Sequence, residues 1–576
     1  MSSIAVPASD PKPRIGLSEH FRTWWPAWLL TLGLGWLAVV PLFQLFIASF
    51  KTSTEADAAF TLNNYVRAFS DPTTYELLWT TVTLAALRVG IALVIGIFLA
   101  WIVARTDTPG RRFIEVLIWI KFFTPPLPMI VAWILIAGRT GLLNTALQDL
   151  GLIRDPLFNI TSYWGIVFIS TLQFAAFIFL LVLPAFQAMD ATLEDSARIT
   201  GASNFHILKD ITVPLVLPAV LGAAFYTFII ALESFETELI LGTPARVYVL
   251  STQIFVLAEQ YPSDLPRATA LSSVFLLAIL GVIALQMRMS KGKSFTTVSG
   301  STYSTRVTPL GPWRWLTFGI CLLYFAISTV LPFIVLVLGT FMKGWGLWGP
   351  NAFTLKHWEI SLGDPRLMSA ITNTIFLGIL VGLGGTALCA LAAYVIVRTK
   401  FIGANALELI TWAPRVAPAP VLAIAFLWTY IGPDIFRPLI GTVWMLALVL
   451  IVNSIPLGAR VASGAMHQIS ASLEEASWVA GSNWPRTFVR IILPLLAPSL
   501  LSSFVLLFLL ASRNLSLILF FYGPESRVLA SMVWENWSGS TPERALVAGL
   551  ILMAISMAAL AVALLIRRRT GLARIY

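Results

Sequence analysis

The sequence predicts an all-α membrane protein of about twelve transmembrane helices, a tandem duplication of a six-helix unit. Three observations carry this reading. The 576 residues are 58% hydrophobic and 11% charged, with a mean hydropathy of +0.84, whereas a soluble globular domain carries roughly 25% charged residues. Apolar runs long enough to cross a hydrocarbon core of about 30 Å recur along the chain. A polar stretch, Asp190–Leu221, is repeated without a gap 280 residues later as Ser470–Leu501.

The runs fall at about 25–50, 77–104, 113–137, 163–187, 215–241 and 269–288, then at 314–342, 369–398, 406–431, 440–465, 495–522 and 545–566. The polar start, with Pro7, Pro11 and Pro13, precedes an apolar run too long for a signal-peptide core, so the first run reads as a retained helix. Phe60-Thr61-Leu62 and Asp71-Pro72 before the second run match Phe353-Thr354-Leu355 and Asp364-Pro365 before the eighth. Arg105-Thr106 at its far end matches Arg398-Thr399, all at an offset of 293. The offset then falls to 280, which places about 13 extra residues in the first half, in the loop 138–162 set against 432–441. The organisation is a first half 1–289, a polar linker 290–312 and a second half 313–576. Six spans per half make the repeats parallel.

Lys and Arg concentrate in one set of short loops and in both tails, as with Arg105, Arg111, Arg112, Lys209, Arg288, Arg398, Arg486 and Arg567–Arg569. The opposite loops mix bases with acids such as Asp71, Glu259 and Asp264. This bias places both termini and both islands in the cytoplasm. It also reads the +10 charge as topology rather than as a nucleic-acid surface. Cys321 and Cys389 lie in apolar runs and suggest no disulfide, and the four histidines show no metal-ligand spacing. Gly292-Lys293-Ser294 imitates the end of a phosphate-binding loop, but Met287 stands where the first glycine belongs. The chain is therefore expected to hold no cofactor and to be no ATPase itself.

Each island reads as a short amphipathic helix with an acidic pair at its start, Glu194-Asp195 and Glu474-Glu475, which suits the helix dipole. Gly201 and Gly481 then allow a left-handed stop, and a second helical stretch leads to Pro214 and Pro494 at the start of the next span. Such a shape suits docking into a groove of another protein.

Glu475-Ala476-Ser477, Gly481 and Ile491-Ile492-Leu493-Pro494 are similar to the signature loop of permease subunits of ATP-binding-cassette importers, E-A-A-x-x-x-G, nine residues, I-x-L-P. The first copy is looser, with Asp195-Ser196-Ala197, Gly201 and Ile211-Thr212-Val213-Pro214. The resemblance implies a fused two-half permease of the bacterial inner membrane. It also implies that the loops dock on two copies of a cytosolic ATPase, which alone uses ATP, and that an extracytoplasmic binding protein delivers the substrate. By this reading Glu194, Asp195, Gly201, Pro214, Glu474, Glu475, Gly481 and Pro494 couple the chain to the ATPase.

Ionisable residues inside spans default to functional candidates. They are Arg88, Lys121, Glu233, Glu236, Glu238, Arg415 and Arg513, of which Lys121, Glu233, Glu236, Arg415 and Arg513 are expected along a translocation path. Glu233 and Glu236 share one helix face, while Glu238 lies about 200° round from Glu236 at about 100° per residue. Arg513 occupies the position equivalent to Glu233, so the two are expected to face each other as a pair or gate. Pro125-Pro126-Leu127-Pro128 and Pro414–Pro420 break corresponding spans, a sign of irregular helices beside a pathway. Glu233–Pro244, Arg513–Ser516 and Tyr522–Pro524 look like segments of ferric-iron importer permeases, although Thr237-Glu238 departs from that pattern. Thiamine, polyamine and phosphonate importers have related permeases. A secondary transporter of six plus six helices would leave the islands unexplained, and a membrane enzyme lacks any nucleophile–base or metal constellation.

Overall fold

The computed structural model describes residues 17–53, 57–189, 194, 196–197, 199–290, 307–345, 352–430, 434–539 and 541–569. Asp195 and residues 291–306 of the expected linker lie outside them. Eleven helices among the described residues are long and apolar enough to span a bilayer. Ala404–Val416 with Ala419–Tyr430 forms a further membrane-length pair bent by 111°. Together these occupy the twelve expected places.

A second bent pair, Glu238–Ala245 with Leu250–Glu259, corrects the expected fifth span. The expected span runs to residue 241, but its helix Val213–Leu232 ends at Glu233. The chain then leaves the helix axis, so Glu233, Glu236 and Glu238 do not lie on one helix. The eleventh span behaves likewise: Leu493–Ser512 ends at Arg513.

Proline explains the local irregularities. Four π-helical turns, Leu208–Thr212, Glu238–Gly242, Ala326–Val330 and Phe488–Ile492, are each followed two residues on by a proline: Pro214, Pro244, Pro332 and Pro494. Proline has no N–H for an i→i−4 bond and its ring crowds the preceding turn. A widened turn absorbs the mismatch without ending the helix. Pro214 and Pro494 thus sit inside continuous helical stretches and do not start them. The third span breaks outright at Thr124-Pro125, between Arg111–Phe123 and Pro126–Ala137.

The halves are interlocked. Val40–Ala48 of the first half packs on Ala419–Tyr430 of the second, and Leu331–Phe341 packs reciprocally on Pro126–Ala137. The long helices Pro72–Arg105 and Pro365–Arg398 each form the spine of their own half, packing on Tyr163–Gln187 and Val443–Gln468. Both spines are N-capped by aspartate: Asp71 accepts from Thr73 N and Asp364 from Arg366 N, both at 2.9 Å. Repeat-equivalent threonines hold equivalent outer helices, with Leu250 N donating to Thr81 Oγ1 at 3.0 Å and Leu529 N to Thr374 Oγ1 at 2.8 Å. In the first-half insertion, Asn144 organises the helix Leu142–Asp149 through the carbonyls of Gly138 (2.8 Å) and Phe158 (2.7 Å). The start of the second half is stitched to the end of the first spine by Thr308 N donating to the Arg105 carbonyl at 2.8 Å.

At the end of the first spine opposite the island, Arg67 pairs with Asp264 at 2.6 Å, and Arg267 pairs with Asp71. The Thr73 hydroxyl, the Thr73 N–H and Arg267 hold the Asp71 carboxyl below its ordinary value. A depressed acid contributes stability above its unfolded pKa and loses it as pH falls through the folded one. The Asp71 carboxyl is therefore expected to titrate below about 3.9, the usual aspartate value, and Asp71→Asn to remove the acid-range part of the stability curve. A carboxyl chemical-shift titration of ¹³C-labelled protein reads this directly; a midpoint at or above the usual value would contradict it.

Candidate functional site

The two islands are built alike. In the second, Ser472–Val479 is helical and closes in a Schellman turn: Gly481 N donates to Trp478 O at 2.9 Å and Ser482 N to Ser477 O at 3.0 Å. Gly481 has φ +81° and Gly201 φ +84°, with open space around both. In the first island Ala202 N donates to Ala197 O at 2.9 Å, the same closing bond.

The first acid of each pair points inward. Glu194 and Glu474 are 7% and 3% exposed, and each meets the arginine at the end of its own spine. Arg105 Nη2 lies 2.6 Å from Glu194 Oε2, and Arg398 Nε lies 3.2 Å from Glu474 Oε1. The same arginines reach the chain entering the island: Arg105 donates to the Met189 carbonyl at 3.5 Å and Arg398 to the carbonyls of Met466 (2.9 Å) and Ile469. A hydroxyl completes each carboxylate, Thr212 on Glu194 and Tyr394 on Glu474, both at 3.0 Å. Glu475 is exposed. The residue two before each glycine is also exposed and apolar, Ile199 at 87% and Val479 at 90%.

The islands are therefore rigid brackets. Their inner acid is fixed to the spine, and an apolar side chain projects beside a sharp turn. Sequence reading singled out the acids, but it did not identify Arg105 and Arg398 as their partners or Ile199 and Val479 as the projecting residues. The matched Arg-Thr pair at each spine end was the available signal for the first.

At membrane depth the expected Glu233–Arg513 pair does not form. Arg415 Nη1 donates to Glu233 Oε2 at 2.9 Å, and its guanidinium lies 5.3 Å from the Tyr226 ring centroid. Arg513 Nη1 instead donates to the Phe122 carbonyl at 3.2 Å. These are equivalent junctions, since Arg415 follows Phe122 by 293 residues and Arg513 follows Glu233 by 280. Each joins the third-span break of one half to the fifth-span end of the other. Equivalent residues occupy equivalent junctions instead of facing each other, which is why the predicted pair is absent.

Aromatic rings bridge the junctions. Phe122 stacks on Phe177 (centroids 6.0 Å), and Phe177 lies 5.8 Å from Tyr226. Glu236 Oε1 accepts from Leu515 N at 2.9 Å, a further tie between the halves. Lys121 is buried one residue before Phe122. Glu238 turns the other way and forms a fully buried pair with Arg88. Ser170 and the Ala231 carbonyl also bind Arg88, and Ser234 donates to Glu238 at 2.7 Å. Arg88 and Glu238 thus tie helices together within the first half.

A family model described as binding-protein-dependent transport system inner membrane component matches residues 92–291 and 385–571. The chain belongs to this family. Its duplicated domain gives the two-half architecture, with one island in each matched segment.

Among similar permeases, the ferric transport system permease protein FbpB of Actinobacillus pleuropneumoniae is 26% identical over 440 residues, covering 76% of this chain and 63% of that protein. The chain thus spans somewhat under two thirds of that relative's length. The probable ABC transporter permease protein y4fN of Sinorhizobium fredii is 26% identical and covers 86% of this chain and 88% of its own length. The Fe(3+)-transport system permease protein FbpB 2 of Haemophilus influenzae is 23% identical and covers 89% and 93%. A solved bacterial ABC transporter involved in alginate import aligns over 48% of this chain at 20% identity and a TM-score of 0.40.

Proposed function

We propose that this permease carries ferric iron inward across the bacterial cytoplasmic membrane, with both termini in the cytoplasm. Two copies of a separate ATPase dock on the islands and use the ATP, and an extracytoplasmic binding protein supplies the substrate. The observation that carries this reading is the twinned bracket, a spine arginine locking Glu194 or Glu474 while Ile199 or Val479 projects. An exposed apolar residue repeated at one position of two surface turns fits a partner's groove, and the fixed acid gives the turn a rigid link to a membrane-spanning spine. Similarity to permeases named for ferric transport supplies the substrate. Lys121, Glu233, Glu236, Arg415 and Arg513 line or close the path, and the two cross-half junctions part when it opens.

The test is reconstitution with the ATPase and binding protein encoded beside the chain. ATP-dependent ⁵⁵Fe uptake is the expected result. Uptake driven by an ion gradient in liposomes holding the chain alone would replace this reading with a secondary transporter.

The closer motif match of the second island leads to a further expectation. Gly201 and Gly481 share the left-handed conformation, so alanine costs each turn about 1–2 kcal/mol of backbone strain. Any difference in uptake must then come from docking. Substitutions at Gly481 and Glu475 are expected to impair uptake more than those at Gly201 and Asp195. Equal or reversed effects in the same transport assay would remove the asymmetry.

A further inference from the structure

Lys121 carries a charge that nothing in its surroundings offsets. It is 4% exposed, at the end of the helix Arg111–Phe123, and has no hydrogen-bond or ion-pair acceptor among the described residues. A second cation, Arg513, is anchored next to it on the carbonyl of the adjacent Phe122. Glu236, the acid nearest in role, is committed to Leu515 N and lies within the field of Arg513. An isolated buried ammonium is costly, and a like charge nearby adds to the cost.

Lys121 also lines a cavity of about 30 Å³ whose other polar residues are Gln173, Thr237 and Ser328. That space is large enough for a small inorganic anion. We propose that this cavity is a small-anion site, occupied by chloride on the Lys121 ammonium with hydroxyl and amide donors from Thr237, Ser328 and Gln173. Water would fill the same space but would leave the repulsion between Lys121 and Arg513 in place, whereas an anion relieves it. Because Arg513 forms one of the two cross-half junctions, chloride at this position strengthens that junction.

Crystals of the full chain grown in bromide give the test, by anomalous diffraction. The wild type and Lys121→Arg are expected to show a peak within hydrogen-bond distance of the side-chain nitrogen, and Lys121→Gln to lose it. In parallel, replacing chloride with gluconate is expected to lower the melting temperature of the wild type and to leave Lys121→Gln unmoved. No peak, or a peak that survives in Lys121→Gln, would overturn the proposal. A peak without any chloride effect on melting would mark an adventitious ion only and would overturn it equally.

Discussion

Arg398→Met is expected to abolish most transport while leaving the membrane bundle assembled. The substitution keeps an unbranched apolar stem but strands Glu474, whose side chain is only 4% exposed. Breaking one partner of a buried pair costs about 3–5 kcal/mol. The low end applies because the Arg398 side chain is 11% exposed and its Nε–Glu474 contact of 3.2 Å lacks hydrogen-bond geometry. Arg398 also satisfies the Met466 and Ile469 carbonyls at the entry to the island, so the loop loses its anchor on two sides. At 1.4 kcal/mol per factor of ten, a cost of about 3 kcal/mol lowers the equilibrium constant for the placed loop roughly a hundredfold. Purified Arg398→Met should therefore run as a monodisperse protein yet show uptake lowered by up to about a hundredfold. Adding Glu474→Gln should restore part of it, since the stranded charge disappears. Uptake within twofold of wild type would show that the bracket does not need its arginine.

Arg88→Met is expected to produce the largest loss of stability. Arg88 is 1% and Glu238 0% exposed, and the guanidinium binds Glu238, Ser170 and the Ala231 carbonyl while lying 5.6 Å from the Phe174 ring centroid. Its removal leaves a carboxylate in the interior with only the Ser234 hydroxyl, at a cost of about 3–5 kcal/mol. The double substitution Arg88→Met/Glu238→Gln should recover most of that cost, because replacing both ions by neutral groups is often nearly neutral. Thermal unfolding of the detergent-solubilised protein checks both. A double mutant no more stable than Arg88→Met alone would show that the pair's charges are not the source of the loss.

Much of the fold was legible because bilayer thickness fixes span length and the repeat fixes register. The island turns were legible for a local reason, since glycine after a helical acid pair marks a left-handed stop. The fifth-span ends were not. Apolar runs resume a few residues past Leu232 and Ser512, at Leu239–Leu241 and Leu517–Phe521, so the polar stretches Glu233–Glu238 and Arg513–Ser516 read as charges inside one span and not as helix ends. The wheel argument for Glu233, Glu236 and Glu238 failed with the helix it assumed. The pairing of Glu233 with Arg415 instead of Arg513 was likewise out of reach, because pseudo-symmetry says which residues are equivalent but not how far they lie from the axis. The offsets held the answer in another form. Phe122 and Arg415, like Glu233 and Arg513, are repeat mates, and each junction takes one residue from each pair.

The central claim is that the islands are docking brackets for a separate ATPase. Both native cysteines, Cys321 and Cys389, are buried, so a cysteine placed at the 90% exposed Val479 offers a single reactive thiol. Val479→Cys should cross-link to the partner ATPase through a short bifunctional reagent, with a yield that changes on adding ATP. Failure to cross-link in a complex that still imports iron at the wild-type rate would contradict the claim.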